Sequence, residues 1–101
     1  IRMRYRLEFR KSAWAEWEDL DGSVRAQFKK VLLRRLEMPR VPSALLHGMP
    51  NCYKIKLRTS GYRLVYQVAD DIVTVTVVAV GKRDKGLVYQ QAAQRVDGET
   101  D

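Results

Sequence analysis

Polar and apolar residues alternate with period two through residues 3–9, where Tyr5, Leu7 and Phe9 interleave with Arg4, Arg6 and Glu8. That period predicts a half-buried first strand. The interval then lengthens: Ala13, Trp17 and Leu20 recur at helical spacing with Trp14 beside them, Ser12 as a cap and Asp21-Gly22 as a stop. Both tryptophans read as core anchors. Ser23 opens a longer helix through Val24, Phe28, Val31, Leu32 and Leu36, an apolar stripe whose other faces carry Arg25, Lys29, Lys30 and Arg34. Arg35 falls near the end of that stripe, where its stem can be buried while the guanidinium reaches water. Pro39, Pro42, Gly48 and Pro50 then break regular structure over a long connecting loop.

From Tyr53 the alternation returns: Tyr53, Ile55 and Leu57 face one way, Lys54, Lys56 and Arg58 the other. Thr59-Ser60-Gly61 supplies a turn. The returning strand places Tyr62, Leu64, Tyr66 and Val68 on one face and Arg63, Val65 and Gln67 on the other. In an antiparallel register the basic face of the first strand lies beside the face carrying Arg63. Asp70-Asp71 makes a second turn, and residues 72–80 form an apolar β-branched run suited to a central strand covered on both sides. A basic loop follows over residues 81–86, and Val88, Ala92 and Val96 share a face of a short last helix. Residues 97–101 are expected to fray. The order strand, helix, helix, three strands, helix predicts an α+β fold: a mainly antiparallel sheet with two N-terminal helices and a short C-terminal one.

Length changes this picture little: 101 residues suit one domain spanning 1–101, with residues 1–2, ahead of Met3, given no weight. Charge changes it more. Nineteen Lys and Arg against twelve Asp and Glu leave a formal net charge of +7, which makes phosphate polymers and acidic proteins the leading partners. The single cysteine, Cys52, cannot form an internal disulfide, and no signal-peptide pattern opens the chain, so a reducing cytoplasm is expected. No apolar run approaches the roughly 20 residues that span a bilayer, so no membrane partner is expected.

The charge is also concentrated. The hairpin's polar face offers Lys54, Lys56, Arg58 and Arg63, and the strand after it delivers Lys82, Arg83 and Lys85 to one end of the same sheet. Like charges at roughly 4 Å repel by about 1 kcal/mol in water and about 4 kcal/mol at reduced dielectric. A phosphate backbone explains such a surface better than an acidic protein or solubility alone, both of which stay open. Lys29, Lys30 and Arg34 add a second basic face, which is either a solvated surface or a further contact with nucleic acid.

As an enzyme, the chain is short of the usual groups. His47 is its one histidine, so a histidine acid/base pair is excluded. Cys52 and His47 are the only soft ligands, so neither a metal nor any cofactor is expected. Lysine and tyrosine remain for proton transfer and arginine for clamping phosphate. A lysine among other cations has its pKa lowered and becomes a usable base. Arginine's planar fork matches charge developing on phosphorus. Tyr89 can stack on a base, share in proton transfer, or simply pack.

The segments LLHGMPNCYKIKLRTSGYRLVYQV and VAVGKRDKGLVY, with the matching order of elements from YRLEF to AAQRV, resemble the RelE family of toxins from toxin–antitoxin modules. The resemblance implies a fold like that of small microbial ribonucleases. It also implies metal-independent cleavage of messenger RNA in the ribosomal A site, by attack of the RNA's 2′-hydroxyl on the adjacent phosphate. The family's functional positions fall on Lys54, Lys56, Arg63, Arg83 and Tyr89. Lys54 or Lys56 would be the base, Arg63 and Arg83 would hold the phosphate, Arg83 would assist the leaving oxygen, and Tyr89 would orient the nucleotide. Arg58, Lys82, Lys85, Lys29, Lys30 and Arg34 would contact RNA or ribosome. Close relatives are expected to carry a basic residue where this chain has His47. A cognate RelB-like antitoxin would neutralise the toxin, and operator DNA would be reached only through that antitoxin. Two alternatives remain: a ParE-like gyrase inhibitor of the same superfamily, and a noncatalytic basic module that binds RNA or DNA.

Overall fold

The computed structural model describes residues 4–84 and 86–98. Its elements are β1 (Arg6–Phe9), α1 (Lys11–Glu18), α2 (Gly22–Arg35), β2 (Cys52–Leu57), β3 (Tyr62–Ala69), β4 (Thr74–Lys82) and α3 (Leu87–Val96), with a short 3₁₀ turn at Pro42–Ala44. The strands form one sheet in the order β1-β4-β3-β2, with β1 parallel to β4 and both other pairings antiparallel. This is the expected α+β architecture. Met3, Lys85 and residues 99–101 of the tail lie outside the described residues.

Two helices cover one face of the sheet and one covers the other. Trp17 of α1 and Phe28 and Leu32 of α2 pack on Ile55, Leu64, Tyr66 and Val77. On the opposite face Val88 and Ala92 of α3 pack on Cys52, Val65, Val78 and Ala79. β4 feeds both cores by means of a bulge: Val65 pairs with Ala79 but Tyr66 with Val77, so Val78 is an extra residue. Val77 and Val80 therefore both face α1 and α2, while Val78 and Ala79 face α3. Beyond the bulge Gly81 lies opposite Arg63 and Lys82 opposite Tyr62. The side chain of Lys82 is thus carried away from the α3 face.

Several local expectations are corrected. α1 begins at Lys11 after Arg10, so Ser12 lies within the helix rather than capping it. α2 begins at Gly22, and the Ser23 hydroxyl donates to the Asp21 carboxylate at 2.7 Å instead of capping the helix. Trp17 is buried, but Trp14 is 46% exposed, with its ring edge-on to Phe9. β1 is an edge strand and leaves Leu7 exposed. Ile72 is outside β4: the Val73 amide bonds back to Asp70 O at 3.2 Å, closing a turn with Val73 at φ +49° and Ile72 exposed. Tyr5 and Arg40 hold that turn through Asp70, with bonds of 2.7 and 3.0 Å. These two bonds keep the Asp70 carboxyl below its ordinary range, chiefly the one from the Arg40 guanidinium and then the one from the Tyr5 hydroxyl.

Candidate active site

The hairpin has the register its alternation predicts, with Lys56 opposite Arg63 and Lys54 opposite Val65. Tyr53, Ile55 and Leu57 are buried against α2, which forces the intervening lysines to the α3 side. That side is not wholly exposed. Arg63, expected on the hairpin's exposed face, is 8% exposed and donates to its own strand at Tyr62 O, 3.1 Å away. Its stem is covered while its charge is retained, which places a fixed cation at the floor of the sheet.

α3 approaches this floor closely because Gly81 has no side chain. A Cβ there would lie 3.0 Å from Val88 Cγ2, so the glycine admits the first turn of the helix directly over β4. Gly86, at φ +75°, makes the sharp entry into that helix. The loop between them is tied to the hairpin, since the Arg83 amide bonds to Gly61 O at 2.6 Å. The result is a cavity of about 220 Å³ whose walls include Lys56, Arg63, Arg83, Asp84 and Tyr89. Four of the five candidate catalytic residues are thus brought together. Lys54, the fifth, borders an adjoining depression of about 340 Å³ with Arg35, Arg58 and the shared Lys56.

The Lys56 ammonium is held below the ordinary lysine range, first by the charge of Lys54, then by lost hydration and by Arg63, with Arg58 also contributing. The neutral form of Lys56 is therefore favoured over that of an isolated lysine. The Tyr89 hydroxyl is buried and has no hydrogen-bond partner among the described residues. An unpaired buried hydroxyl costs free energy unless something else satisfies it. Burial raises the Cys52 thiol to about 11, which leaves it an inert core group.

Other sequence candidates are not gathered here. Lys82 ends β4 on the other side of the sheet. Lys29 and Lys30 are exposed on α2, and Arg34 borders a separate depression with Val31 and Met38. His47 lies exposed in the connecting loop. One wall residue went unnoticed in the sequence, and Arg35, expected to send its guanidinium to water, turns it to the hairpin instead. Asp84 places a carboxylate on the cavity wall, hidden inside a run of cations. Arg35 donates to the Tyr66 hydroxyl at 2.8 Å, and Tyr66 donates in turn to Pro39 O at 2.6 Å, locking the end of α2 to the hairpin. Its position inside an apolar stripe was the available signal. Among the described residues no three of His, Cys, Asp and Glu gather as a metal site. No helix there is long and apolar enough to cross a membrane.

A basic cavity between a hairpin and a terminal helix, on a small α+β scaffold, defines the class of protein, and comparison with known proteins agrees. A family model described as the ParE toxin of type II toxin–antitoxin systems, parDE, matches residues 7–86. The chain belongs to the RelE/ParE family of toxins from type II toxin–antitoxin systems. It is 53% identical over 94 residues, 93% of this chain and 99% of the relative, to the mRNA interferase toxin RelE of Escherichia coli (strain K12). A free mutant of the E. coli RelE toxin superposes with a TM-score of 0.87 at 52% identity, over 93% of this chain and 99% of that one. The crystal structure of the intact E. coli RelBE toxin–antitoxin complex matches with a TM-score of 0.78 at 54% identity, over 80% and 99% of the two chains.

Proposed function

We propose that this chain is the toxin of a type II toxin–antitoxin module, an mRNA interferase that cleaves messenger RNA in the ribosomal A site and so inhibits translation. The observation that carries the reading is the cavity itself, where Lys56, Arg63, Arg83 and Tyr89 converge. Likeness to the E. coli mRNA interferase over nearly the whole chain supports it. In the reaction a 2′-hydroxyl of the RNA loses its proton to a lysine and its oxygen attacks the adjacent phosphorus. The bond to the 5′-oxygen breaks, leaving a 2′,3′-cyclic phosphate and a 5′-hydroxyl. Lys56 is the base of this proposal, because it lines the cavity and the charge of Lys54 beside it disfavours its charged form. Arg63, fixed by burial, and Arg83, on the loop, bind the phosphate oxygens as negative charge builds there. Arg83 also stabilises the charge on the leaving oxygen, which takes its proton from solvent. Tyr89 orients the nucleotide, and a polar group of the RNA satisfies its otherwise orphaned hydroxyl.

This chemistry needs no metal or cofactor. The set lacks a strong acid/base pair, so rate depends on positioning, and the ribosome supplies it by presenting the A-site codon in one conformation. Lys54 and Arg58 act on phosphates around the site; Lys82, Lys29, Lys30 and Arg34, which lie away from it, meet phosphates elsewhere on the RNA or ribosome, with Lys85 as a further contact. The toxin works in the cytoplasm. A cognate RelB-like antitoxin neutralises it, as the E. coli RelBE complex suggests by likeness, and operator DNA is contacted through that partner.

The family model takes its name from ParE toxins, so gyrase inhibition is the specific rival. The test is to incubate a defined messenger RNA with the protein, with and without programmed ribosomes, and identify the fragment ends. Cuts confined to the A-site codon with cyclic phosphate ends support the proposal. Intact RNA under both conditions removes it and turns attention to gyrase or to simple binding.

A further inference from the structure

One side-chain pair joins the layers of the molecule around an end of the sheet. β1 stops at Phe9, and the next amide, that of Arg10, bonds to Val77 O at 3.0 Å. β4 continues past that point through its bulge with β3 on one side and no strand on the β1 side, so its backbone groups on that edge need other partners. Side chains supply them. Glu16 Oε1 of α1 accepts from the Val80 amide at 3.0 Å, and Arg95 Nη1 of α3 donates to Val78 O at 2.7 Å. The same two side chains also meet as a fork, with Arg95 Nη1 and Nη2 donating to Glu16 Oε1 and Oε2 at 3.0 and 2.9 Å. Both are largely sheltered, the arginine side chain 13% and the glutamate 25% exposed. Bidentate, charge-assisted bonds in such a setting are among the stronger and more directional side-chain contacts.

Val88 and Ala92 are the buried residues of α3, with Tyr89 and Val96 packed partly on the same cluster, so its apolar hold on the sheet is thin and the ion pair adds a directional one. Val88, Ala92 and Arg95 share one helical face at i, i+4 and i+7. The helix is thus pinned at its start by Val88 over Gly81 and at its end by the ion pair. Tyr89 sits between these pins.

We propose that Glu16 and Arg95 are positioning residues for the cleavage reaction: their pair seats α3 on the bulged strand and so holds Tyr89 at the cavity wall. Neither residue lines the cavity, and their effect passes through the helix. The proposal rests on the reading of Tyr89 as a group that serves the RNA. A site built on a short helix is only as precise as the contacts that support the helix.

The test compares wild-type protein with Arg95→Met, Arg95→Lys and Glu16→Gln by hydrogen exchange and by cleavage on programmed ribosomes. In Arg95→Met the α3 amides should exchange about tenfold faster or more, while those of β3 keep their protection. Turnover should fall with ribosome affinity unchanged, and Arg95→Lys, which keeps the charge but loses the fork, should fall between. Should Arg95→Met fail to fold, Glu16→Gln, which keeps shape and one acceptor, decides by the same two readouts. Unchanged α3 exchange in a folded variant would overturn the proposal, as would faster exchange with undiminished turnover. A wild-type protein that cleaves nothing would instead remove the reading of the site, while the exchange arm would still decide whether the pair seats α3.

Discussion

The two faces of the sheet are built to different standards. Under α1 and α2 lie large side chains, Phe28, Leu32, Ile55, Leu64 and Tyr66, each 2% exposed or less. Under α3 the buried set is small, with Cys52, Val65, Ala79, Val88 and Ala92 filling the space and a glycine where helix and strand approach. Each large side chain fully buried contributes about 1.5–3 kcal/mol, so the first face supplies most of the fold's stability. The second face trades that contribution for chemistry: a buried arginine, a cavity and an unpaired hydroxyl. Stability and function are thus separated across a sheet one strand thick, and substitutions on the two sides should behave differently.

The largest effect belongs to the first face. Phe28→Ala should lower unfolding free energy by about 3–5 kcal/mol, because a fully buried ring leaves a cavity. Urea denaturation would measure it, and a loss below about 1 kcal/mol would mean that this face is not the principal core. On the second face charge matters more than volume. Lys54→Met should move the alkaline rise in cleavage to higher pH while keeping the plateau. The sign follows from Lys56: it acts as base when neutral, its pKa is lowered first by the charge of Lys54, and removing that charge lets the pKa climb back. A single-turnover pH–rate profile reads this directly, and loss of the plateau would make Lys54 the base instead. The smallest effect on stability is expected for Tyr89→Phe. Its hydroxyl has no partner among the described residues, so thermal unfolding should be unchanged or slightly improved, while cleavage falls. A clear drop in melting temperature would show that the hydroxyl is bonded after all.

The hairpin was legible because its two faces differ in kind, apolar against cationic, so period and register could be read together. β4 was legible as a strand covered on both sides, but its register was not, because it is apolar on both faces and its bulge leaves no mark in the alternation. That single extra residue decides that Gly81 meets Val88 and that Lys82 leaves the site. Tyr89 was identified through family resemblance, whereas its spacing from Val88 alone allowed a packing role. The Glu16–Arg95 pair was invisible, since nothing local links residues 79 positions apart. Trp14 misled for a related reason: its position suits a core helix, but β1 is a short edge strand and cannot cover it.

The central claim is that the cavity between the hairpin and α3 cuts RNA rather than merely holding it. Arg83→Ala tests it most directly, because Arg83 is exposed on a loop and its loss should leave the fold intact. Cleavage of A-site messenger RNA and affinity for programmed ribosomes would be measured on the same preparations. The account predicts a rate about 10²–10³-fold lower, the usual cost of removing one donor to a developing oxyanion, with affinity nearly unchanged. Equal loss of cleavage and affinity, or no loss of cleavage, would contradict it.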